Sequence, residues 1–290
     1  MHPYASKTYV GALNNEAGYS LSLAAWASEV IIRPFAQHYD VLGSYPLACF
    51  DPKADLKSGL DQLKSLGMIS VALVPDPLSG PSIEAFQNSF EYVKPFKNHL
   101  IIDKTLGAYA PSSHHRERIR RGLRRCDIHI GRLDTQLDDW ISLYATLVSH
   151  RAITGMANFS REYFIALSQL PQLMAFSAYV GGILAGMTLW FNYDGLVYNH
   201  LTACNDLGYA NGAAFALYDA AITHYNDCDR LNLGGGAGHI DNPDNGLYAF
   251  KSGFANNIVK AHICGAILDA ATYQTLSQGK PDTYFPAYRA

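Results

Sequence analysis

The stretch from Asn232 to Phe254 reads N-L-G-G-G-A-G-H-I-D-N-P-D-N-G-L-Y-A-F-K-S-G-F. The end of a short apolar strand, Leu231 and Leu233, runs into three glycines, where another backbone or a ligand can approach closely. A polar turn follows, and a compact amphipathic turn then places Lys251 among aromatic residues. Because a lysine in such surroundings is costly without an anionic partner, the stretch predicts that Lys251 meets one.

The composition of the chain is that of a globular protein. Hydrophobic residues make up 49% and charged residues 16% of its 290 residues, which predicts one large domain or two domains of about 100 to 200 residues. The net charge of −3 and the pI near 6.4 exclude a globally basic nucleic-acid binder, and we expect no DNA partner. A local basic patch is compatible with this charge.

The cysteines and the first residues of the chain indicate its compartment. Five cysteines without a CxxC pair favour free thiols in a reducing compartment over a disulfide framework or a zinc site. His114 and His115 lack a third residue at metal-ligand spacing, and we predict no metal site. The sequence shows no signal peptide and no apolar run approaching about 18 residues. We therefore expect a cytoplasmic protein without a membrane span.

Secondary-structure signals are weaker in the first half of the chain. We predict a helix over residues 19–38, with Leu21, Leu23 and Ile31 among its apolar residues and Pro34 as its end or kink. The other predicted elements are helices at 56–66 and 82–90 and strands at 68–74 and 99–103. The order of elements in this half is similar to, but less complete than, that of the α/β unit predicted in the second half. The sequence therefore predicts two related lobes.

The second half has antiparallel strands at its centre. Runs at 173–180, 183–191 and 196–204 are joined by segments with the composition of hairpin turns. A loop at 205–209 and a long helix over 210–227 then precede a short strand at 231–233, which we expect to run parallel to its predecessor. The other predicted elements are strands at 126–133 and 258–267 and helices at 137–149, 161–170 and 268–276.

An arginine-rich helix is predicted between the two halves. Residues 112–125 read S-S-H-H-R-E-R-I-R-R-G-L-R-R, with six arginines, one glutamate and a serine N-cap. Arg116, Arg120 and Arg124 fall on one stripe of this helix. The stripe is either a solvated helix face or an anion site for phosphate or carboxylate, since arginine forks match those groups.

These elements resemble the GNAT acyltransferase superfamily, in particular its Fem-type branch of peptidoglycan-bridge aminoacyltransferases and two-lobed relatives. The resemblance is carried by G-I-L-A-G-M-T-L-W at 182–190, Y-N-H-L-T-A-C-N at 198–205, the helix at 208–221, L-G-G-G at 233–236, G-L-Y-A-F-K-S-G-F at 246–254 and S-H-H-R at 113–116. It implies an α/β (α+β) fold of two tandem GNAT-like lobes, each a mixed, mostly antiparallel sheet flanked by helices. We expect a degenerate lobe at 1–111 and an acyltransferase lobe at 112–290, in which 112–125 is the connecting helix.

The resemblance also implies a reaction, in which an amine attacks the thioester of an acyl-CoA or the ester of an aminoacyl-tRNA and forms an amide. The donor is expected as a co-substrate, with no tightly bound cofactor. It is expected to bind against Gly208, Tyr209, Asn211, Gly212 and Ala213, where backbone N–H groups at a helix N-terminus favour phosphate. This loop lacks the Arg or Gln and one glycine of the ordinary GNAT pattern, which fits the Fem-type branch and a charged tRNA as donor.

Three residues are candidates for catalysis. In the Fem-type branch, a Phe-Lys pair lies by the reacting carbonyl, which implies that Lys251 stabilises developing negative charge. A structural lysine bonded to helix carbonyls is the alternative. His200, which shares a strand face with Tyr198, is predicted to be the general base that deprotonates the acceptor. A satisfied core histidine is the alternative for His200.

Acceptor binding is assigned to Arg116, Arg120, Asp206, Gly235 and Phe250. The acceptor is expected to be an amine on a sugar nucleotide, a peptide or a small metabolite, entering between the lobes near the two arginines. Asp206 can bind an ammonium group or be a turn residue. A second hypothesis stays open, in which the chain is a catalytically inactive binding or scaffold protein that keeps the fold.

Overall fold

The computed structural model describes residues 1–13, 18–238, 245–281 and 283–290. The chain divides into two compact units, one made of 1–97 and 260–290 and the other of 98–259. The expected lobes at 1–111 and 112–290 stay a prediction. The two compact units group residues 98–111 with 112–259 and residues 260–290 with the N-terminal segment. In the described part of the chain, every helix is too short or too polar to cross a membrane.

The first unit is a mixed sheet with helices. Its elements are α1 (Lys7–Ala12), β1 (Tyr19–Leu23), β2 (Ser28–Phe35), β3 (His38–Leu42), α2 (Leu56–Ser65), β4 (Ser70–Leu73), α3 (Ile83–Ser89), the start of β5 (Tyr92–Asp103), and, from the C-terminal part of the chain, the end of β11 (Asn257–Ile267) and α10 (Ala270–Leu276). Strands β1, β2 and β3 pair antiparallel, β3 and β4 pair parallel, and β4 pairs antiparallel with β11.

The predicted helix at 19–38 is wrong, because this segment forms β1 and β2. Ala27, in the left-handed region at φ 48°, breaks the chain between the two strands. Val30, Ile31 and Ile32 form a β-branched run, which favours a strand over a helix. Pro34 is tolerated because β1 pairs with β2 only as far as Ile32, so no β1 residue needs the N–H that proline lacks.

The strands of the second unit are of mixed direction and lie between helices. Its elements are the end of β5, α4 (Ser113–Leu123), β6 (Asp127–Gly131), α5 (Leu137–Arg151), α6 (Arg161–Ser168), β7 (Leu173–Val180), β8 (Ile183–Tyr193), β9 (Leu196–Cys204), α7 (Asp206–Asn211), α8 (Ala213–His224), β10 (Arg230–Asn232), α9 (Gly246–Ser252) and the start of β11. The strand order is β5-β10-β9-β8-β7-β6. The pair β9–β10 is parallel, as expected, and the pairs β5–β10, β9–β8, β8–β7 and β7–β6 are antiparallel.

Helices cover both faces of the second sheet. Helix α8 packs on β7 and β8 over a core that includes Phe176, Trp190, Leu217 and Leu231. Helix α5 packs on β8 and β9. The predicted loop at 205–209 is wrong, because α7 begins at Asp206. The predicted helix at 210–227 is shorter than expected, because Gly212 at φ 77° separates α7 from α8, which ends at His224.

Candidate active site

The site lies where β9 and β10 separate. These parallel strands pair over three residues only, the last pair being Tyr198 and Asn232. Beyond it β9 continues to Cys204, whereas the chain leaving β10 follows β5. The N–H of Leu233 donates to the Leu100 carbonyl at 2.9 Å, and the N–H of Leu100 donates to the Gly234 carbonyl at 3.1 Å. The edge of β9 beyond Tyr198 is therefore not paired with β10.

A bulge distorts β9 at the same place. Leu189 pairs with Leu201 and the next residue, Trp190, pairs with Asn199, so β9 carries one extra residue around His200. Below α8, a buried polar cluster fills the distortion. The Asn199 amide donates to Thr188 Oγ1 at 2.9 Å and accepts from the Tyr218 hydroxyl at 2.7 Å. These bonds fix the shape of the strand that borders the opening.

Lys251 faces the glycine segment that leaves β10. Its side chain is buried, and its Nζ donates to the Gly235 carbonyl at 3.0 Å. A Cβ on Gly234 would lie 3.3 Å from Nζ, so the missing side chain leaves the ammonium group room on that side. Lys251 and Gly235, both predicted site residues, are thus brought together beside the point where β9 and β10 separate.

His115 holds the helix that carries Lys251. Its Nε2 lies 2.7 Å from the Phe250 carbonyl and its Nδ1 lies 3.1 Å from Ser112 Oγ. Because a carbonyl only accepts, Nε2 carries the proton and Nδ1 accepts from the serine. Burial lowers the pKa of His115. Sequence reasoning considered this histidine only as a metal ligand, and the one available signal was its place in S-H-H-R.

A second residue missed from the sequence, Asn232, fixes the start of the glycine segment. Its Oδ1 accepts from the N–H of Gly234 at 2.8 Å and lies 3.1 Å from His99 Nδ1. The N–H donor identifies this atom as the amide oxygen. The side chain therefore turns the chain away from β9 immediately after the last paired residue.

His200 is enclosed rather than poised for proton transfer. Its Nε2 lies 2.7 Å from the Tyr163 hydroxyl, and Phe191 packs edge-on against its ring. Burial lowers the pKa of His200 to about 3, which makes it a weak base at neutral pH. Tyr198 is buried in β9. The contacts of His200 favour its interpretation as a hydrogen-bonded core histidine over a general base. The catalytic roles of His200 and Tyr198 stay predictions.

Four of the five predicted donor-binding residues have packing or local roles in the structure. A Cβ on Gly208 would overlap the Ala185 carbonyl, and Gly212 packs against Gly122 of α4. The Asn211 amide donates to the carbonyl of Leu207, and Ala213 is fully buried. The fifth residue, Tyr209, is 54% exposed.

Tyr209 lines a cleft of about 340 Å³ between the end of α5 and α7. Its other lining residues are Leu147, His150, Arg151, Cys204 and Asp206. His150 and the cationic Arg151 therefore line the same cleft as Tyr209 and the exposed carboxylate of Asp206. Burial raises the pKa of the Cys204 thiol to about 12, so this residue is not an activated nucleophile.

The remaining predicted site residues lie on α4 and α9. Arg116 and Arg120 are exposed on α4. The ring of Phe250 packs against Phe215 and Tyr218 at centroid distances of 4.9 and 4.8 Å, while its carbonyl receives the bond from His115. Phe250 thus anchors α9 to α8.

No protein-family model and no curated protein sequence matches the chain. Solved structures do. The chain superposes on FemX with a TM-score of 0.68 at 11% identity, covering 94% of each chain. L-PGS from Bacillus licheniformis gives 0.64 at 14% identity over 92% of this chain and 88% of that one. The C-terminal DUF2156 domain of a protein described as a lysylphosphatidylglycerol synthetase, from Agrobacterium fabrum, gives 0.62 at 12% identity with the same coverages.

The chain has a GNAT-like, Fem-like fold. This confirms the fold class and the coarse resemblance predicted from the sequence. In this GNAT-like fold, the separated parallel strands, the bulge in β9, the buried lysine and the cleft beside α7 all belong to the second unit.

A separate cluster in the first unit has residue types that bind metals. One ligand atom each from buried His2, Cys49 and Asp76 lies within 4.8 Å of the others. Local hydrogen bonds already engage two of these side chains. His2 Nδ1 accepts from the N–H of Tyr4, and the Asp76 carboxylate accepts from Leu78 N–H and Ser79 Oγ. A metal at His2 would have to displace the bond to Tyr4 or reverse the tautomer that this bond requires.

Proposed function

We propose that the chain is an acyl- or aminoacyltransferase that joins an activated acyl group to an amine. The observation that carries this proposal is the opening between β9 and β10 beside the buried ammonium of Lys251. The fold likeness to FemX and to proteins named for lysylphosphatidylglycerol synthesis supports aminoacyl transfer in particular.

In this proposal, Lys251 has a role in the chemistry. The amine attacks the carbonyl carbon of the donor, a C–N bond forms, and negative charge develops on the carbonyl oxygen. The ammonium of Lys251 stabilises this charge, which is worth on the order of 3 kcal/mol for one well-placed donor. The C–O or C–S bond then breaks, and the proton released by the amine balances the charge of the leaving group.

Among donors, the ester of an aminoacyl-tRNA is favoured over acyl-CoA. Phosphate binding by a GNAT loop needs glycines that leave backbone N–H groups accessible. Here Gly208 is closed off by Ala185, and Gly212 is in contact with α4. A donor that is held mainly by side-chain contacts to a nucleic acid does not depend on phosphate binding by the backbone N–H groups of Gly208 and Gly212.

The proposed function is tested by incubating the full chain with an amine acceptor and either a charged tRNA or acetyl-CoA. Loss of the donor and formation of the amide are followed together, because ester hydrolysis alone consumes donor without product. We expect amide from charged tRNA. Amide from acetyl-CoA alone would reassign the donor. Calorimetry that detects binding of neither tRNA nor CoA would favour the inactive scaffold.

A further inference from the structure

The open face of α4 and the two residues that follow it concentrate positive charge. Five arginines at positions 116, 118, 120, 124 and 125 are exposed, and Arg121 is half-buried. Within the described ranges, none of these six side chains forms an ion pair with a carboxylate. Elsewhere in this unit, exposed arginines such as Arg132 and Arg161 pair with aspartates. A face with this much uncompensated charge suits an extended polyanion better than one carboxylate.

Helix α4 is joined directly to the wall of the cleft. Arg121 Nη2 donates to the carbonyl of Ala210 in α7 at 3.3 Å. A Cβ on Gly122 would lie 2.6 Å from the Gly212 carbonyl, so α4 rests against the turn that follows α7. Asp206 and Tyr209 of the same α7 line the cleft. Helix α4, through Arg121 and Gly122, and the cleft, through Asp206 and Tyr209, therefore both involve α7 and the turn that follows it.

The cleft has features suited to the terminal nucleoside of a nucleic acid. Its volume falls within the range of about 300 to 1,000 Å³ that is usual for small-molecule sites. The exposed ring of Tyr209 offers a stacking surface for a base, and Arg151 offers a cation for a phosphate or ribose oxygen.

We infer that the arginines of α4 and the cleft at Tyr209 form one RNA-binding surface. The arginines contact phosphates of a base-paired stem, and the 3′-terminal nucleoside stacks on Tyr209. This inference rests on the proposed function with a tRNA donor. It reassigns Arg116 and Arg120 from the acceptor, where the sequence analysis placed them, to the donor.

The first test compares two double variants of the full chain in binding one uncharged tRNA. Arg120→Gln/Arg124→Gln removes charge from α4, while Arg132→Gln/Arg161→Gln removes the same charge from exposed, ion-paired positions elsewhere. Binding is measured between about 50 and 200 mM salt, because phosphate contacts make affinity depend on salt. We expect the α4 variant to bind about tenfold or more weakly, with a salt slope lower by about one per arginine. The control variant should resemble the wild type.

The second test concerns Tyr209. Tyr209→Ala should weaken binding of intact tRNA about tenfold, whereas Tyr209→Trp should retain it, since stacking requires only an aromatic face. Removal of the 3′-terminal adenosine from the tRNA should abolish the difference between the two variants.

The outcomes separate the inference from the proposed function. If the wild type binds tRNA and both double variants bind it with the same affinity as the wild type, the inference is overturned and the proposed function stands. A wild-type chain that binds no tRNA would overturn the inference and the tRNA donor together. Equal losses for tRNA and for polyglutamate in the α4 variant would reveal a nonspecific anion surface and would also overturn the inference.

Discussion

The imidazole of His115 lies directly against Gly253, so closely that a Cβ on the glycine would overlap the ring. The same ring bonds to the Phe250 carbonyl and to Ser112 Oγ. In addition, the N–H of Ser112 donates to the Gly253 carbonyl at 2.9 Å. These contacts form a clasp that joins α4 to the end of α9 through one histidine, and Lys251 lies in sequence between the two contacted residues, Phe250 and Gly253.

Gly253→Ala should disrupt this clasp. The added methyl group has no space, because His115 is held from both ring nitrogens, and overpacking of this kind costs about 1–3 kcal/mol. We expect a lower free energy of unfolding in urea and a larger loss of transfer activity, since Lys251 is displaced. Gly246→Ala is the matched control, because no atom of the described residues lies within 4 Å of its Cβ position. Equal behaviour of the two variants would refute the clasp.

Gly122→Ala tests the contact between α4 and α8. Its Cβ would lie 2.6 Å from the Gly212 carbonyl and 3.1 Å from Ala216 Cβ, so α4 must move. Overpacking by about 1–3 kcal/mol opposes the gain of about 1 kcal/mol from replacing a helical glycine. We expect a net loss of about 1 kcal/mol in urea unfolding. For Gly131→Ala the nearest atom is 3.7 Å away, and no overpacking loss is expected. A more stable Gly122→Ala variant would contradict the close approach.

His200 should make stability depend on pH. Its pKa is about 3 in the folded chain, against about 6.5 in an unfolded one. Below about pH 6.5, His200 binds a proton in the unfolded state but stays neutral in the folded state. The free energy of unfolding should therefore fall as pH drops from about 6.5 to 3, by up to about 1.4 kcal/mol per pH unit from this group. Urea unfolding at several pH values should show a shallower dependence for His200→Gln. Parallel curves would show that burial does not hold this histidine neutral.

The same variant distinguishes a core histidine from a general base. Loss of a general base typically lowers the rate by about 10² to 10⁴. Because Tyr163 occupies the Nε2 of His200, we expect His200→Gln to lower the single-turnover rate by less than about tenfold. A loss of 10² or more in a stably folded variant would restore the role predicted from the sequence.

Much of the second unit could be predicted from local signals. The strands at 173–180 and 196–204 were predicted with the bounds that they have, because glycines and Asp194 with positive φ make the turns between them. The fold class followed from the resemblance to the GNAT superfamily, which the order of elements and the quoted motifs carry. In the first unit, alternation of Ser and Leu at 20–23 was a strand signal that a helical interpretation overlooked.

The site could be predicted only in part, because its geometry depends on tertiary contacts. Lys251 and Gly235 stood out from their neighbours in sequence. His115 positions the helix of Lys251, but it is distant from that lysine in the chain. Asn232 positions the glycine segment, but it is a polar residue of a common type. Glycine spacing also could not show that Gly208 and Gly212 serve close packing. Of the predicted polar turn at 241–245, residues 241–244 lie outside the described residues, and Asn245 caps α9.

The central claim is that Lys251 stabilises charge during acyl transfer, and a single-turnover assay with charged tRNA and an amine acceptor tests it most directly. Lys251→Met should lower the rate of amide formation by about 10² to 10³, while urea unfolding confirms that the variant is folded. Lys260→Met, at an exposed position of β11, should leave the rate unchanged. Full activity of the Lys251→Met variant would contradict the account.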